Sequence, residues 1–195
     1  MKPVILCIVL CGCVAVAQAQ TTPASRTEAA AGTNPVTSTV KQIVQRQERN
    51  LVGAAEAMPA DKYDYKPTPQ QITYGALMAH IAHSNFSLCS KIGDVTASEN
   101  NKIEGTSGKE KIVAALKDSF QFCHMALDKA DDSKLGDEVT MFGGRKAPRA
   151  AALIALTNDF ADHYAAAAGY LRLNGILPPS AQRQQSATEG QRPKQ

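Results

Sequence analysis

Residues 74–92 have the sequence YGALMAHIAHSNFSLCSKI, and their pattern decides the fold. Apolar side chains recur every three or four positions, which places them on one stripe of an α-helix because each residue turns the helix by about 100°. His80 lies on one edge of this stripe and Cys89 on the other. The segment therefore predicts an amphipathic helix that begins near Thr73. The stripe consists of Leu77, Ile81, Ser84, Leu88 and Ile92.

Three further segments have the same helical period. The first covers about 37–58, and the third opens where Ser107 and Glu110 have the S-x-x-E spacing of a capping box. The fourth covers about 148–174, with Pro148 suited to the first helical position. With 44% apolar residues, no tryptophan and abundant alanine, these segments predict an all-α four-helix bundle packed through small side chains.

Long connections separate the predicted helices, and they permit crossovers that a plain up-down bundle lacks. Cys89 and Cys123 occupy similar positions in the second and third helices, so they share a level only if these helices are parallel. A disulfide between them would therefore require up-down-down-up order. Without that bond they are interpreted as two small buried apolar residues. The last connection contains a short extended segment at about 139–142.

The beginning of the chain has the composition of an export signal. Lys2 supplies a positive charge, residues 4–16 an apolar core, and residues 17–19 an A-x-A cleavage site. We expect a signal peptide at 1–19 and a secreted, periplasmic mature chain. A lipoprotein box at 10–13 (LCGC) is the alternative, and it would anchor the chain to a membrane through a lipid. No later stretch reaches the roughly 18 apolar residues that a transmembrane segment needs.

The mature chain is expected to have one domain. Residues 20–36 are a flexible leader without periodicity, 37–178 form the bundle, and 179–195 are a polar tail expected to be disordered. The chain has 21 basic and 18 acidic residues, for a net charge of +3, and lacks a stripe of basic residues interleaved with aromatic ones. Nucleic acid is therefore not expected as a partner.

The candidate chemistry lies on histidines, because the sequence has no phosphate-binding loop and no nucleophile elbow. His163 lies on the flank of the fourth helix's stripe, and Asp159, one turn earlier, projects from the same side. His80 occupies the equivalent flank of the second helix. Two imidazoles and a carboxylate can hold zinc, nickel, manganese or ferrous iron with positions open for water or substrate. A D-x-x-x-H pair also arises by chance, and we interpret His124 as packed or partly exposed and His83 as solvated.

Several segments resemble the DinB-like family of metal-dependent helical bundles. The resemblance covers about 40–180, and its last part is similar to the closing helix of the exported branch of that family. The segments that carry it are YDYKPTP at 63–69, GALMAHIA at 75–82, DHY at 162–164, GYLRLNGI at 169–176 and the prolines at 178–179.

The resemblance implies a four-helix bundle in up-down-down-up order with three metal-binding histidines. One belongs to the second helix and two form an H-x-x-x-H pair on the fourth. His80 and His163 match two of these positions, whereas the third is Asp159. Whether this carboxylate completes the site, changes the metal preference or weakens binding is left open by the sequence.

Two functions from different classes follow. Some relatives are thiol-dependent transferases in which the metal lowers the pKa of a small thiol, so the first is a metal-dependent hydrolase or thiol-dependent transferase with a small-molecule substrate. The alternative is a non-catalytic envelope or stress-related bundle that binds a partner or forms a homodimer. Metal content distinguishes the two.

Overall fold

The computed structural model describes residues 33–97 and 102–190 of the 195-residue chain. The expected signal peptide, the lipoprotein box and most of the expected leader lie outside the described residues. The described part is mainly helical, which confirms the predicted all-α class. Its helices are α1 (Pro35–Ala57), α2 (Tyr74–Gly93), α3 (Lys109–Asp128), α4 (Arg149–Leu173) and α5 (Pro179–Gly190).

A short hairpin and three 3₁₀ turns lie between the helices. The turns are Ala60–Lys62, Asp132–Lys134 and Phe142–Gly144. Strand β1 (Glu138–Thr140) pairs antiparallel with β2 (Lys146–Pro148). The predicted extended segment at 139–142 therefore overlaps β1 in two residues. Within the described part of the chain, no helix is both long and apolar enough to cross a bilayer.

The helix starts differ from two predictions. Pro148 belongs to β2 and is the N-cap of α4, so the helix proper begins one residue later, at Arg149. The capping box at Ser107 was wrong, because Gly108 is the N-cap of α3 and makes no side-chain cap. The Ser107 hydroxyl instead accepts a hydrogen bond from the Glu104 backbone N–H, 3.1 Å away. It therefore closes the preceding turn.

The fifth helix was also missed, since the sequence predicted a disordered tail from residue 179. Pro179 packs against α1, where a Cβ on Gly53 would lie 3.2 Å from the proline Cγ. The Tyr164 hydroxyl donates to Ser180 Oγ at 2.7 Å and accepts from the Ser180 N–H at 2.9 Å. Arg183 also donates to Asn50. These tertiary contacts hold a segment that has no apolar stripe of its own.

Pairs of contacts give the direction of neighbouring helices. Between α2 and α3, Asn85 donates to Ser119 at 2.9 Å, and further along both helices Cys89 is bonded to Cys123. Residue numbers rise in the same direction along both helices from the first pair to the second, so α2 and α3 run parallel. Their axes approach closely near the ends, where a Cβ on Gly93 would lie 2.4 Å from the backbone oxygen of Ala126.

The core lies between α1, α2, α3 and α4. The rings of Phe120 on α3 and Phe160 on α4 stack with centroids 5.3 Å apart, and both are fully buried. Tyr74 is also fully buried, and its hydroxyl donates to the Ala54 backbone oxygen at 2.7 Å. This apolar interior fixes the positions of α2 and α4, the helices that carry the candidate ligands.

Asp132 caps α1 from a distant part of the chain. Its carboxylate accepts hydrogen bonds from the Val36 N–H at 2.7 Å and from the N–H and hydroxyl of Thr37 at 2.9 and 2.6 Å. In return, the Asn34 side-chain oxygen accepts from the Asp132 N–H at 2.8 Å. The first backbone N–H groups of a helix lack partners within the helix. Asp132 satisfies two of them and also places a negative charge at the positive end of the helix dipole.

We expect Asp132→Ala to lower the melting temperature at neutral pH. Desolvation opposes ionisation, but hydrogen bonds from Thr37 and Val36 outweigh it and lower the pKa of Asp132. A lowered carboxylate pKa stabilises the fold above the unfolded pKa, and this contribution disappears as the pH falls through the folded pKa. Thermal melts of the protein and the variant should therefore converge in acid. Asp118→Ala, at an exposed position on α3, is the control; an equal loss in both variants would contradict the cap.

Candidate metal centre

The packing of α2 against α4 brings the three predicted ligands together. His80 comes from α2, and Asp159 and His163 come from α4. One potential ligand atom from each residue lies within 4.8 Å of the other two. The two imidazole rings are tilted by 43° with their centroids 4.9 Å apart. Because metal–ligand bonds are about 2 Å long, two ligands of one ion lie at most about 4 Å apart, so these side chains would draw closer together around a shared ion.

The hydrogen bond at His163 fixes which of its nitrogens is free. Nδ1 lies 2.6 Å from the backbone oxygen of Asp159. A carbonyl oxygen only accepts, so Nδ1 carries a proton, and in the neutral ring Nε2 keeps its lone pair. Ligating histidines commonly have this arrangement, with the second ring nitrogen bonded to a carbonyl or carboxylate. His163 is thus oriented to offer Nε2.

The carboxylate of Asp159 has an unsatisfied oxygen. Its Oδ2 lies 3.4 Å from Nδ1 of His163, whose proton is directed at the backbone oxygen instead. Among the described residues, this buried oxygen has no hydrogen-bond partner. Leaving a buried acceptor without a partner costs free energy, and a cation beside it would remove that cost. Two imidazoles and this carboxylate therefore fit a divalent transition-metal ion.

The two histidines have pKa values shifted in opposite directions. The Asp159 carboxylate beside the ring raises the pKa of His163, although burial opposes the shift. Partial desolvation of the ring lowers the pKa of His80, and the neighbouring His163 adds to the decrease. The side chains of Asp159 and His163 are each only 19% exposed, whereas His80 is exposed. The centre thus has a shielded side on α4 and an open side at His80.

In the metal-free protein, NMR titration of the ring protons is expected to give His163 a pKa above 6.5 and His80 a pKa below it. The stabilisation from His163 is complete below pH 6.5 and disappears as the pH rises through its folded pKa. His80 has the opposite sign, because the partial desolvation of its ring disfavours the charged form and destabilises the fold as the pH falls below 6.5.

Asp159→Asn tests the cause of the shift at His163. The variant should lower the pKa of His163, because the side-chain contact with the Asp159 carboxylate is the largest cause of the raised pKa and its negative charge adds to the increase. Asp162→Asn is the matched control, since Asp162 is exposed and is a weaker influence on the same ring. Equal changes in the two variants would show that general surface charge, rather than the Asp159 contact, sets the pKa of His163.

The structure places the other two histidines outside the centre. His124 contacts Glu48 at 2.8 Å across α1 and α3, and its side chain is 32% exposed. His83 is exposed, as expected, but its Nε2 accepts a hydrogen bond from the Ile103 N–H at 3.2 Å. The sequence did not predict this contact. Ser84 is buried, as its place on the predicted core stripe indicated, but the sequence did not predict that its hydroxyl lies 3.5 Å from Nε2 of His80.

The structure is thus a helical bundle in which His80, Asp159 and His163 meet between α2 and α4. The match of a family model described as DinB superfamily covers residues 43–167, and the chain belongs to that superfamily. No curated protein matches the chain.

Two solved structures have the same fold. A DinB-like protein, YjoA, from Bacillus subtilis has 21% identity and a TM-score of 0.55, with 70% of this chain and 95% of that chain covered. A mutant of a mycothiol-dependent maleylpyruvate isomerase has 15% identity and a TM-score of 0.55, with 66% of this chain covered. The chain matches only 59% of the isomerase's length. At these identities the likeness concerns the fold.

Proposed function

We propose that the chain binds one divalent metal ion through His80, Asp159 and His163. We further propose that this ion serves a metal-dependent hydrolase or a thiol-dependent transferase with a small-molecule substrate. The observation that carries the proposal is the buried Oδ2 of Asp159, which has no hydrogen-bond partner among the described residues and lies beside an imidazole of a partly shielded pair. Zinc, nickel, manganese and ferrous iron all suit this donor set.

Each residue of the candidate centre would have a different role in metal-dependent chemistry. When bound, a divalent ion lowers the pKa of a coordinated water or thiol and so supplies a nucleophile near neutral pH. Asp159 orients the His163 ring through its backbone oxygen and contributes the negative charge of its side chain. His80 is exposed, so its side of the centre is open to a substrate. Three protein ligands leave room for such a molecule.

A thiol co-substrate is one of two forms of this proposal. The isomerase with the similar fold is mycothiol-dependent, and a thiol bound at the open side of His80 would correspond to that chemistry. Water as the nucleophile would give a hydrolase instead. Assays of the metal-loaded protein with and without small thiols distinguish the two forms, because only a transferase should require the thiol.

The test of metal binding is elemental analysis of protein purified without a histidine tag. We expect one zinc, nickel, manganese or iron ion per chain. We also expect thermal melting to shift downwards in a chelator, because a ligand present at 100 times its Kd stabilises a protein by about 2.7 kcal/mol. Three results together would refute the proposal: less than about a tenth of an equivalent of metal in the purified protein, no binding of added zinc, and the same melting temperature with and without chelator.

We also propose that the four long helices follow up-down-down-up order. The parallel direction of α2 and α3 at Cys89–Cys123 supports this order. The antiparallel packing of α4 on α2 also supports it, since Arg149 at the start of α4 donates to the backbone oxygens of Lys91 and Ile92 at the end of α2. Nuclear Overhauser contacts across each helix pair would test the order directly.

Export to the periplasm is a further proposal. The disulfide supports it, because disulfides persist in oxidising compartments and are rare in the cytosol. Intact-mass analysis of the protein from a periplasmic fraction should give a chain that begins at residue 20. A retained N-terminus would contradict cleavage, and the mass of an added lipid at Cys13 would favour the lipoprotein alternative.

A non-catalytic bundle that binds a partner or dimerises is the second candidate. The outward side chains of Ile154 and Leu173 favour it, because they are 61% and 64% exposed on α4. Under this alternative, chelators do not change the melting temperature, and the melting temperature of a dimer rises with protein concentration. Sedimentation of the protein and of the Ile154→Ser variant would measure any dimer and show whether Ile154 takes part in it.

A further inference from the structure

Ser84 is a buried polar residue with one polar contact. It lies one turn after His80 on α2, and only 7% of it is exposed. Burying a hydroxyl costs free energy unless it makes a hydrogen bond. Within residues 33–97 and 102–190, its hydrogen-bond contact is with Nε2 of His80, at 3.5 Å. An otherwise apolar stripe thus contains one hydroxyl, and that hydroxyl lies beside a candidate metal ligand.

The two imidazoles of the centre are held by different groups. The backbone oxygen of Asp159 engages Nδ1 of His163. For His80, the described residues contain no such backbone bond, and the hydrogen-bond contact of the ring is with Ser84. Side chains four residues apart on a helix face the same side, so the contact follows from the helix itself. A ligating histidine is oriented by the partner of its second nitrogen.

We propose that Ser84 is a positioning residue of the candidate metal centre, where its hydroxyl holds the His80 ring in one orientation and one tautomer. This inference rests on the proposed function. In this arrangement the Nε2–H of His80 would donate to the Ser84 hydroxyl, so that Nδ1 would be the nitrogen left for an ion. His163, whose Nδ1 is engaged, offers Nε2. The two histidines would thus present opposite ring nitrogens to one ion.

The first test is ¹⁵N NMR of the histidine rings in the metal-free protein. We expect His80 of the unaltered chain to be protonated at Nε2, and Ser84→Ala to turn this single tautomer into a mixture. Ser87→Ala is the matched control, because this half-buried serine on α2 contacts Lys91 rather than His80. A proton on Nδ1 in the unaltered chain, an unchanged His80 signal in Ser84→Ala, or an equal change in Ser87→Ala would overturn the proposal.

The second test measures zinc affinity by chelator competition. Ser84→Ala should weaken binding by about 10- to 100-fold, as losses of partners to metal-ligating histidines do, whereas Ser87→Ala should not. An unchanged affinity in Ser84→Ala would also overturn the positioning role. If the unaltered protein binds no metal, the proposed function fails, and the NMR experiment still decides whether Ser84 orients the ring.

Discussion

Replacing both Cys89 and Cys123 by alanine is expected to lower the free energy of unfolding by about 4 kcal/mol. The bond joins two buried residues 34 positions apart, and in the chain-entropy model closing a loop of this length restricts the unfolded chain by that amount. Urea unfolding followed by circular dichroism measures the loss. This is a large part of the stability of an ordinary domain, so the variant should melt at a much lower temperature.

Reduction separates the covalent link from the packing of the sulfur atoms. The unaltered chain in a strong reductant keeps both side chains and loses only the bond, so most of the loss should appear there. The double alanine variant should not respond to reductant. An unchanged urea midpoint after reduction would mean that the bond is absent in solution or does not contribute to the free energy of unfolding. Noncovalent packing alone would then hold α2 against α3 near Cys89 and Cys123.

The periodicity of the sequence predicted the four long helices because each buries a continuous apolar stripe. Local rules placed the start of α2 near Thr73 and the end of α1 near residue 58, and in the structure these are Tyr74 and Ala57. The same rules failed at Ser107, where the hydroxyl closes a turn with Glu104 instead of capping α3. Two local motifs competed for one serine, and spacing alone does not decide between them.

Long-range contacts account for the other structural misses. α5 has no amphipathic pattern, and its contacts with Gly53 and Tyr164 join parts of the chain that local periodicity does not relate. The capping of α1 by Asp132 has the same character, because the carboxylate lies 95 positions from Thr37 in the sequence. The sequence indicates that the end of a helix needs a hydrogen-bond partner, but it does not indicate which distant residue supplies it.

The candidate centre was predicted in its residues but not in its details. The flank positions of His80 and His163 indicated that both rings lie near the α2–α4 contact, and the structure brings them together. The free nitrogen of His163 and the unpaired oxygen of Asp159 depend on rotamers and hydrogen bonds. The contact between Ser84 and His80 was not predicted, because a position on the apolar stripe indicates packing. The one signal in the sequence was that Ser84 is a polar residue one helical turn from a candidate ligand.

Replacing His163 by alanine is expected to weaken zinc binding by more than about 100-fold. Loss of a partner to a ligating histidine already costs about 10- to 100-fold, and loss of the ligand itself should cost more. The variant removes the ring and releases Asp159 from its contact at 3.4 Å, which leaves His80 as the single imidazole. Chelator competition and elemental analysis of the purified variant measure the effect.

His124→Ala is the matched control for this variant. Both histidines are partly buried on long helices, but His124 contacts Glu48 on the α1–α3 side and has no place among the three candidate ligands. The control should keep one metal ion per chain and its melting shift in chelator. Zinc binding that survived in His163→Ala, or fell equally in His124→Ala, would place the ion elsewhere. Binding lost in His163→Ala alone would assign it to the facing surfaces of α2 and α4, where a substrate could reach it from the exposed side of His80.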